Sequence, residues 1–212
     1  SGLFCALSKQ HGAEMSEHVL LTGASGFIAK HILVRLIAAG HAVTATIRDP
    51  SRQAELRKLV PEAGDRLGFV TLDLLKDHGW TEALQGKTAL VHTASPFPIA
   101  QPANEDDLIR PAVDGTLRAL RAAQAAGVNR VVLTSSVAAI LHRDGPEIQD
   151  ESDWANLNLP GTTAYTKSKT LAERAAWDFA ASAPGLRLTV INPGLVLGPP
   201  MDDGFGSSLS VV

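Results

Sequence analysis

Apolar residues along the chain fall into two alternating patterns. Short runs of β-branched and aliphatic residues occupy 18–22, 42–47, 67–72, 89–93, 130–135 and 186–191. Runs of that length with few polar interruptions predict strands covered on both faces. Between them apolar residues return at helical spacing: Ile28, Ile32 and Leu36, then Ile109, Val113, Leu117 and Leu120, then Leu171, Ala175 and Phe179. Each stripe predicts a helix that lays that face on a sheet. Strand and helix in regular alternation predict an α/β fold with a doubly wound parallel sheet. Loops bearing Pro and Gly cluster at 95–104, 143–161 and 192–206. Each follows a strand end, the side on which open α/β sheets hold ligands.

Composition narrows the function classes. The chain has 212 residues, with 45% hydrophobic and 19% charged, an ordinary globular balance for one well-buried domain. A net charge of -3 with no basic stripe leaves no electrostatic footprint for nucleic acid. No apolar run is long enough to span a bilayer. A single cysteine, Cys5, permits no internal disulfide and suits a reducing cytoplasm. Seven histidines, His92 and His142 among them, show no zinc spacing, so no metal site is expected. Residues 1–14 are polar and patternless before Met15 and read as a leader, with 15–212 as the folded unit.

Two motifs carry chemistry. The first predicted strand runs into Thr22-Gly23-Ala24-Ser25-Gly26-Phe27-Ile28-Ala29 and then the first helix. Gly23 permits a tight turn, Gly26 lets backbone approach a pyrophosphate at the helix N-terminus, and Ala29 is the small residue where helix packs on strand. Strand before and helix after make dinucleotide binding a better reading than an ordinary loop. At the end of the second strand, Arg48 stands where an NAD site usually has Asp or Glu. Its planar fork suits a 2′-phosphate, which favours NADP(H), with Arg52 as a second phosphate contact and Asp49 one position late for a ribose ligand.

The second motif is the pair Tyr165 and Lys169, four residues apart and so on one helical face. A cation beside a phenol favours phenolate and makes the tyrosine a usable acid near neutral pH. On spacing alone, a surface helix with an incidental Tyr and Lys remains the commoner reading.

Taken together, segments 22–31, 47–50, 72–74, 92–96, 133–136, 165–177 and 192–194 resemble an extended short-chain dehydrogenase/reductase. Within the NAD-dependent epimerase/dehydratase superfamily, the chain is most similar to the dihydroflavonol-reductase, cinnamoyl-CoA-reductase and aldehyde–ketone-reductase branch. The resemblance implies a Rossmann-type domain, with the C-terminal substrate lobe mostly outside these residues. It assigns Ser136, Tyr165 and Lys169 to catalysis, Ser136 rather than Ser135 because it stands last before the chain leaves the fifth strand. It assigns Gly23, Ser25, Gly26, Phe27, Ile28, Arg48, Asp73, Leu74, Thr93, Ala94, Ser95, Tyr165, Lys169, Pro193 and Gly194 to NADP(H). Asp73 would meet the adenine amine, Thr93 to Ser95 the nicotinamide ribose, and Pro193 with Gly194 the nicotinamide face. Lys167 is expected to be solvated. Asp114 stands near the position of an Asn that many such enzymes carry, and no role is assigned to it.

The expected reaction is carbonyl reduction with Tyr165 as proton donor, on a hydrophobic aldehyde or ketone. Loops 96–104 and 143–161 would form one pocket wall through Phe97, Ile99, Trp154 and Leu157. The alternatives are an NAD-dependent nucleotide-sugar epimerase or dehydratase, against which Arg48 argues, and a non-catalytic NADPH-binding regulator, against which the intact Tyr–Lys pair argues. The same resemblance implies a monomer or homodimer.

Overall fold

A computed structural model describes residues 16–96, 102–141 and 144–201. The leader, Cys5, Phe97, Ile99 and His142 lie outside the described residues. Six strands form one sheet: β1 (His18–Thr22), β2 (Ala42–Ile47), β3 (Leu67–Thr71), β4 (Ala89–His92), β5 (Arg130–Thr134) and β6 (Arg187–Ile191). Their order is β3-β2-β1-β4-β5-β6, and every pairing is parallel. The chain therefore reverses its direction of travel across the sheet between β1 and β4. A crevice opens there at the carboxyl ends, because the connections from the two strands leave on opposite faces.

Helices α1 (Phe27–Ala38) and α2 (Gln53–Leu59) cover one face, and α3 (Trp80–Leu84), α4 (Asp106–Ala125) and α5 (Ala164–Ser182) the other. Adjacent strand residues point to opposite faces. Thus Leu20 packs with Leu84, Leu90, Leu120 and Val131 under α3 to α5. Leu21 packs with Leu33, Ile37, Val43 and Leu56 under α1 and α2. Both cores are closed to solvent at these positions.

The inward faces of the helices differ from the expected stripes. On α1 the buried residues are Ala29, Lys30, Leu33 and Ile37, while Ile28, Ile32 and Leu36 are only half-buried. On α4 the buried positions include Leu108, Ala112, Gly115, Ala119 and Leu120. On α5 they include Ser168, Lys169, Ala172, Glu173 and Ala176, with Phe179 at the core's rim. Small side chains let a helix pack closely, so short residues such as Ala29, Ala119 and Ala176 share the buried faces with longer ones such as Leu33 and Leu120. The three loop-side strand ends also stop one residue early, at Thr71, His92 and Thr134. At β4 the reason is visible, because the next backbone N–H groups bond to a side chain rather than to a neighbouring strand.

Candidate active site

The turn after β1 is held from two sides. From β2, the Thr46 hydroxyl accepts the Gly23 N–H at 3.1 Å and its carbonyl accepts the Ala24 N–H at 3.0 Å. From β4, the chain presses so close that a Cβ on Gly23 would lie 3.0 Å from the Ala94 Cα. Gly23 adopts φ +64°, a left-handed conformation that suits glycine. Gly26 is the N-cap of α1, with no side-chain cap and no acidic residue in the first turn. The helix thus presents its uncapped N–H groups and positive end toward the crevice.

Thr22 and His92 lock β1 to β4 beneath this turn. The Thr22 Oγ1 accepts N–H bonds from Thr93 and Ala94, both at 3.0 Å. Its one proton therefore points to the His92 Nδ1, 2.9 Å away, which accepts it and so assigns the imidazole's own single N–H to Nε2. The Nε2 has no hydrogen-bond partner among the described residues. Burial takes the imidazole from its usual 6.5 down to about 4, and the Lys169 charge pushes the same way. The unfolded chain then binds this proton at a higher pH than the folded one. Stability from this group is complete above about pH 6.5 and is lost as pH falls toward 4, by roughly 3 kcal/mol. Urea unfolding at intervals between those pH values should show a steeper loss than in His92→Asn, whose amide oxygen can still accept from Thr22; parallel slopes would refute the assignment.

A cleft of about 570 Å³ opens over these turns. Gly23, Ser25, Gly26, Arg48, Asp73, Leu74, Thr93, Ala94 and Ser95 line it. Arg48 is exposed and makes no ion pair with a described residue. Asp49 caps the turn beginning at Pro50, its Oδ1 accepting the Ser51 N–H at 2.9 Å. Arg52, expected as a second phosphate contact, is folded back onto Glu55, with Nη2–Oε1 at 2.9 Å. Glu55 also pairs with the buried Lys30 at 2.8 Å, so α2 rather than the cleft claims the Arg52 guanidinium. Asp73 uses Oδ1 to accept the Leu75 N–H at 2.9 Å and turns the chain. Leu74 packs on Gly115 of α4, where a Cβ would lie 3.0 Å from its Cδ2. Neither Gly115 nor Thr46 carries a local sequence signal, because each acts on a segment distant in the chain.

Phe27 and Ile28 point their side chains elsewhere. They line a separate cavity of about 560 Å³ on the outer side of α1, with Val196 and Leu197. Only their backbone at the first turn of α1 remains toward the crevice.

The other candidate residues converge from three elements. Thr163 caps α5 by accepting the Thr166 N–H at 3.1 Å. Helical spacing then puts the Lys169 Nζ 5.8 Å from the centre of the Tyr165 ring. Lys169 is buried, and desolvation takes its ammonium down to about 8, while the Glu173 carboxylate pulls it part of the way back. Lys167 is not simply solvated: it pairs with Glu105 at 2.7 Å, just before α4. Ser136 is buried after β5, its Oγ accepting the Ala138 N–H at 3.2 Å and keeping its own proton to donate. The neighbouring Ser135 Oγ is buried without a partner among the described residues. Pro193 accepts the Val137 N–H at 3.0 Å, fastening the turn after β6 to the one after β5.

Among the described residues, the expected pocket wall is met only on its first loop, where Pro96 and Pro102 line the cleft. Trp154 lies half-buried with the Arg174 guanidinium of α5 4.9 Å from its ring centre, and Leu157 is half-buried too. No described residue of 143–161 lines the large cleft. Asp114 is exposed on α4. Among the described residues no group of His, Cys, Asp and Glu could hold a metal ion, and no helix is long and apolar enough to cross a membrane.

This geometry has close parallels. The chain is 38% identical over 204 residues to tetraketide alpha-pyrone reductase 1 of Arabidopsis thaliana, covering 92% of this chain and 62% of that protein. It is 36% identical over 201 residues to dihydroflavonol 4-reductase of Zea mays, covering 90% and 56%. The yeast methylglyoxal/isovaleraldehyde reductase Gre2, solved as a complex with NADPH, superposes with a TM-score of 0.77 at 30% identity over 88% of this chain and 60% of its own. The chain thus spans about three fifths of the length of these relatives. The model of the NAD dependent epimerase/dehydratase family matches residues 19–210, and together with the glycine turn at the sheet's reversal point this makes the chain a member of that family.

Proposed function

We propose that the full-length protein is an NADP(H)-dependent reductase that converts an aldehyde or ketone to an alcohol. The observation that carries this reading is a lysine buried against a tyrosine on the helix beside a dinucleotide-type cleft. A buried ammonium is costly to maintain without a task, and perturbed groups of this kind gather at reactive sites.

The residues present suit the cofactor. The close Gly23–Ala94 approach and the uncapped start of α1 leave room and donors for a pyrophosphate. Asp73 would meet the adenine amine, with Leu74 beside the ring. Arg48, exposed at the cleft, suits a 2′-phosphate, and Asp49 is not among the residues that line the cleft. Thr93, Ala94 and Ser95 would line the nicotinamide ribose, with Pro193 and Gly194 against the nicotinamide. The relatives supply the same direction, since they are reductases and the yeast one binds NADPH.

When bound, the cofactor supplies the hydride. Ser136 donates its hydroxyl proton in a hydrogen bond to the substrate carbonyl oxygen and polarises it. Tyr165 gives its phenolic proton to that oxygen as it gains charge, which leaves an alcohol and a phenolate. Lys169 holds the phenolate with its positive charge and the ribose hydroxyls with its N–H groups. A low-pH form is required for reduction, so the rate should fall as pH rises through about 8, where Lys169 loses its proton.

A panel of aldehydes and ketones assayed with NADPH and with NADH on the full-length protein tests the reading. NADPH should be the better donor. Arg48→Ala should raise KM for NADPH about 10- to 100-fold and leave that for NADH nearly unchanged. An NADH preference in the parent protein would overturn the cofactor assignment.

A further inference from the structure

Glu173 is a carboxylate buried to 4% exposure, one helical turn beyond Lys169 and two beyond Tyr165. Among the described residues it forms no salt bridge within 4.0 Å, so an ion pair of that kind does not account for its burial. Its Oε2 accepts from the Asn192 Nδ2 at 2.8 Å, and its Oε1 accepts from the Trp177 Nε1 at 3.4 Å. The same Asn192 nitrogen donates to the Ser136 carbonyl at 3.1 Å. Backbone bonds from Ser135 to Ile191 (2.8 Å) and from Val137 to Pro193 (3.0 Å) flank that link. One buried carboxylate therefore ties together the three segments that carry Ser136, the Tyr165–Lys169 pair and the Pro193–Gly194 turn.

We propose that Glu173 is the positioning residue of this site: through Asn192 it fixes the turns after β5 and β6 against α5, and it sets a negative charge one helical turn from Lys169. The inference rests on the reductase reading for its kinetic consequences but not for its electrostatic ones. Among the described residues, few charged and titratable groups face Lys169. Tyr165 and Glu173 do so from α5 and the neutral His92 from β4, while the ion pair across the α4–α5 seam uses Lys167 and Glu105. Glu173 is thus the carboxylate that opposes the cost of burying Lys169. Removing its charge lowers the pH at which Lys169 gives up a proton.

The test uses full-length protein labelled with ¹³C at the lysine ε-carbon, the Lys169 signal being assigned with Lys169→Arg. In the parent that signal should titrate near the pH of about 8 expected for this buried amine. In Glu173→Gln, which keeps the size and one acceptor oxygen for the closer Asn192 bond but removes the charge, it should move down by about one pH unit. In Glu173→Asp, which keeps the charge, most of that shift should disappear. Kinetics read the same change independently. A one-unit drop lowers kcat/KM of Glu173→Gln about eightfold near roughly pH 8.5 and less than about twofold near roughly pH 6.5. Asn192→Ala, which cuts the link and leaves the charge, should lower kcat at both pH values without moving the lysine titration.

An unchanged Lys169 titration in folded Glu173→Gln would overturn the proposal. So would a pH-independent loss of activity, which a purely structural role would produce. If Glu173→Gln fails to fold, the Asp variant and Asn192→Ala decide: normal kcat in Asn192→Ala rules out the positioning link. Absence of carbonyl reduction in the parent would count against the reductase reading alone, because the lysine titration still judges Glu173.

Discussion

Tyr165→Phe is expected to lower kcat for carbonyl reduction by about a thousandfold while changing the dissociation constant for NADPH by less than about threefold. The substitution removes one oxygen and its proton and leaves the ring that packs beside Lys169, whose Nζ lies 5.8 Å from the ring centre. Lys169 is fixed by burial and by the helix itself, so its contact with a bound ribose should survive. The groups proposed for the adenine side, Arg48, Asp73 and the Gly23 turn, stand on other elements and are untouched. The loss should therefore fall on the chemical step and not on binding. Single-turnover rates with NADPH and fluorescence titration of the cofactor separate the two. A phenylalanine variant that kept most of its kcat would remove Tyr165 from the mechanism. A variant that lost cofactor binding in parallel would make the tyrosine a structural group.

Local patterns were enough to read the sheet, because strands covered on both faces leave runs such as Val131-Val132-Leu133 that need no partner to recognise. The helices were legible as helices but not in rotation. On α1 both Ile28-Ile32-Leu36 and Ala29-Leu33-Ile37 are apolar stripes at helical spacing, and the choice depends on how near the sheet can come. The glycine turn was readable for a similar local reason, since strand, turn and helix follow one another directly. The supports of the site were not. Thr22 and His92 are 70 positions apart, and Asn192 and Ser136 56, so their roles arise only when the sheet aligns the strand ends. Arg52 failed in the opposite way. Its neighbourhood suggested phosphate, but Glu55 three residues on is a nearer partner on the same face. Glu173 gave a faint signal, an acidic residue four beyond Lys169, yet only burial distinguishes it from a solvated helix pair.

Gly23→Ala is expected to weaken both the fold and cofactor binding far more than Gly40→Ala, although each glycine has a positive φ. At Gly40, φ is +87° and nothing lies within 4 Å of an added Cβ. That variant bears only the left-handed backbone cost of about 1 kcal/mol, or roughly 2–4 °C in Tm for a domain of this size. At Gly23, φ is +64° and the added carbon meets the Ala94 Cα at 3.0 Å and its nitrogen at 3.1 Å. Both are backbone atoms, and Ala94 cannot retreat freely because its N–H is held by Thr22. The clash adds the cost of overpacking, bringing the total to about 2–4 kcal/mol. Relief by separating the turn from β4 would also disturb the floor on which a pyrophosphate would rest. NADPH affinity should then fall about a hundredfold in Gly23→Ala and hardly at all in Gly40→Ala. Thermal melts with and without NADPH measure both effects in one series. Equal Tm losses in the two variants, or an unchanged NADPH-induced stabilisation in Gly23→Ala, would mean that the β1–α1 turn does not carry the cofactor.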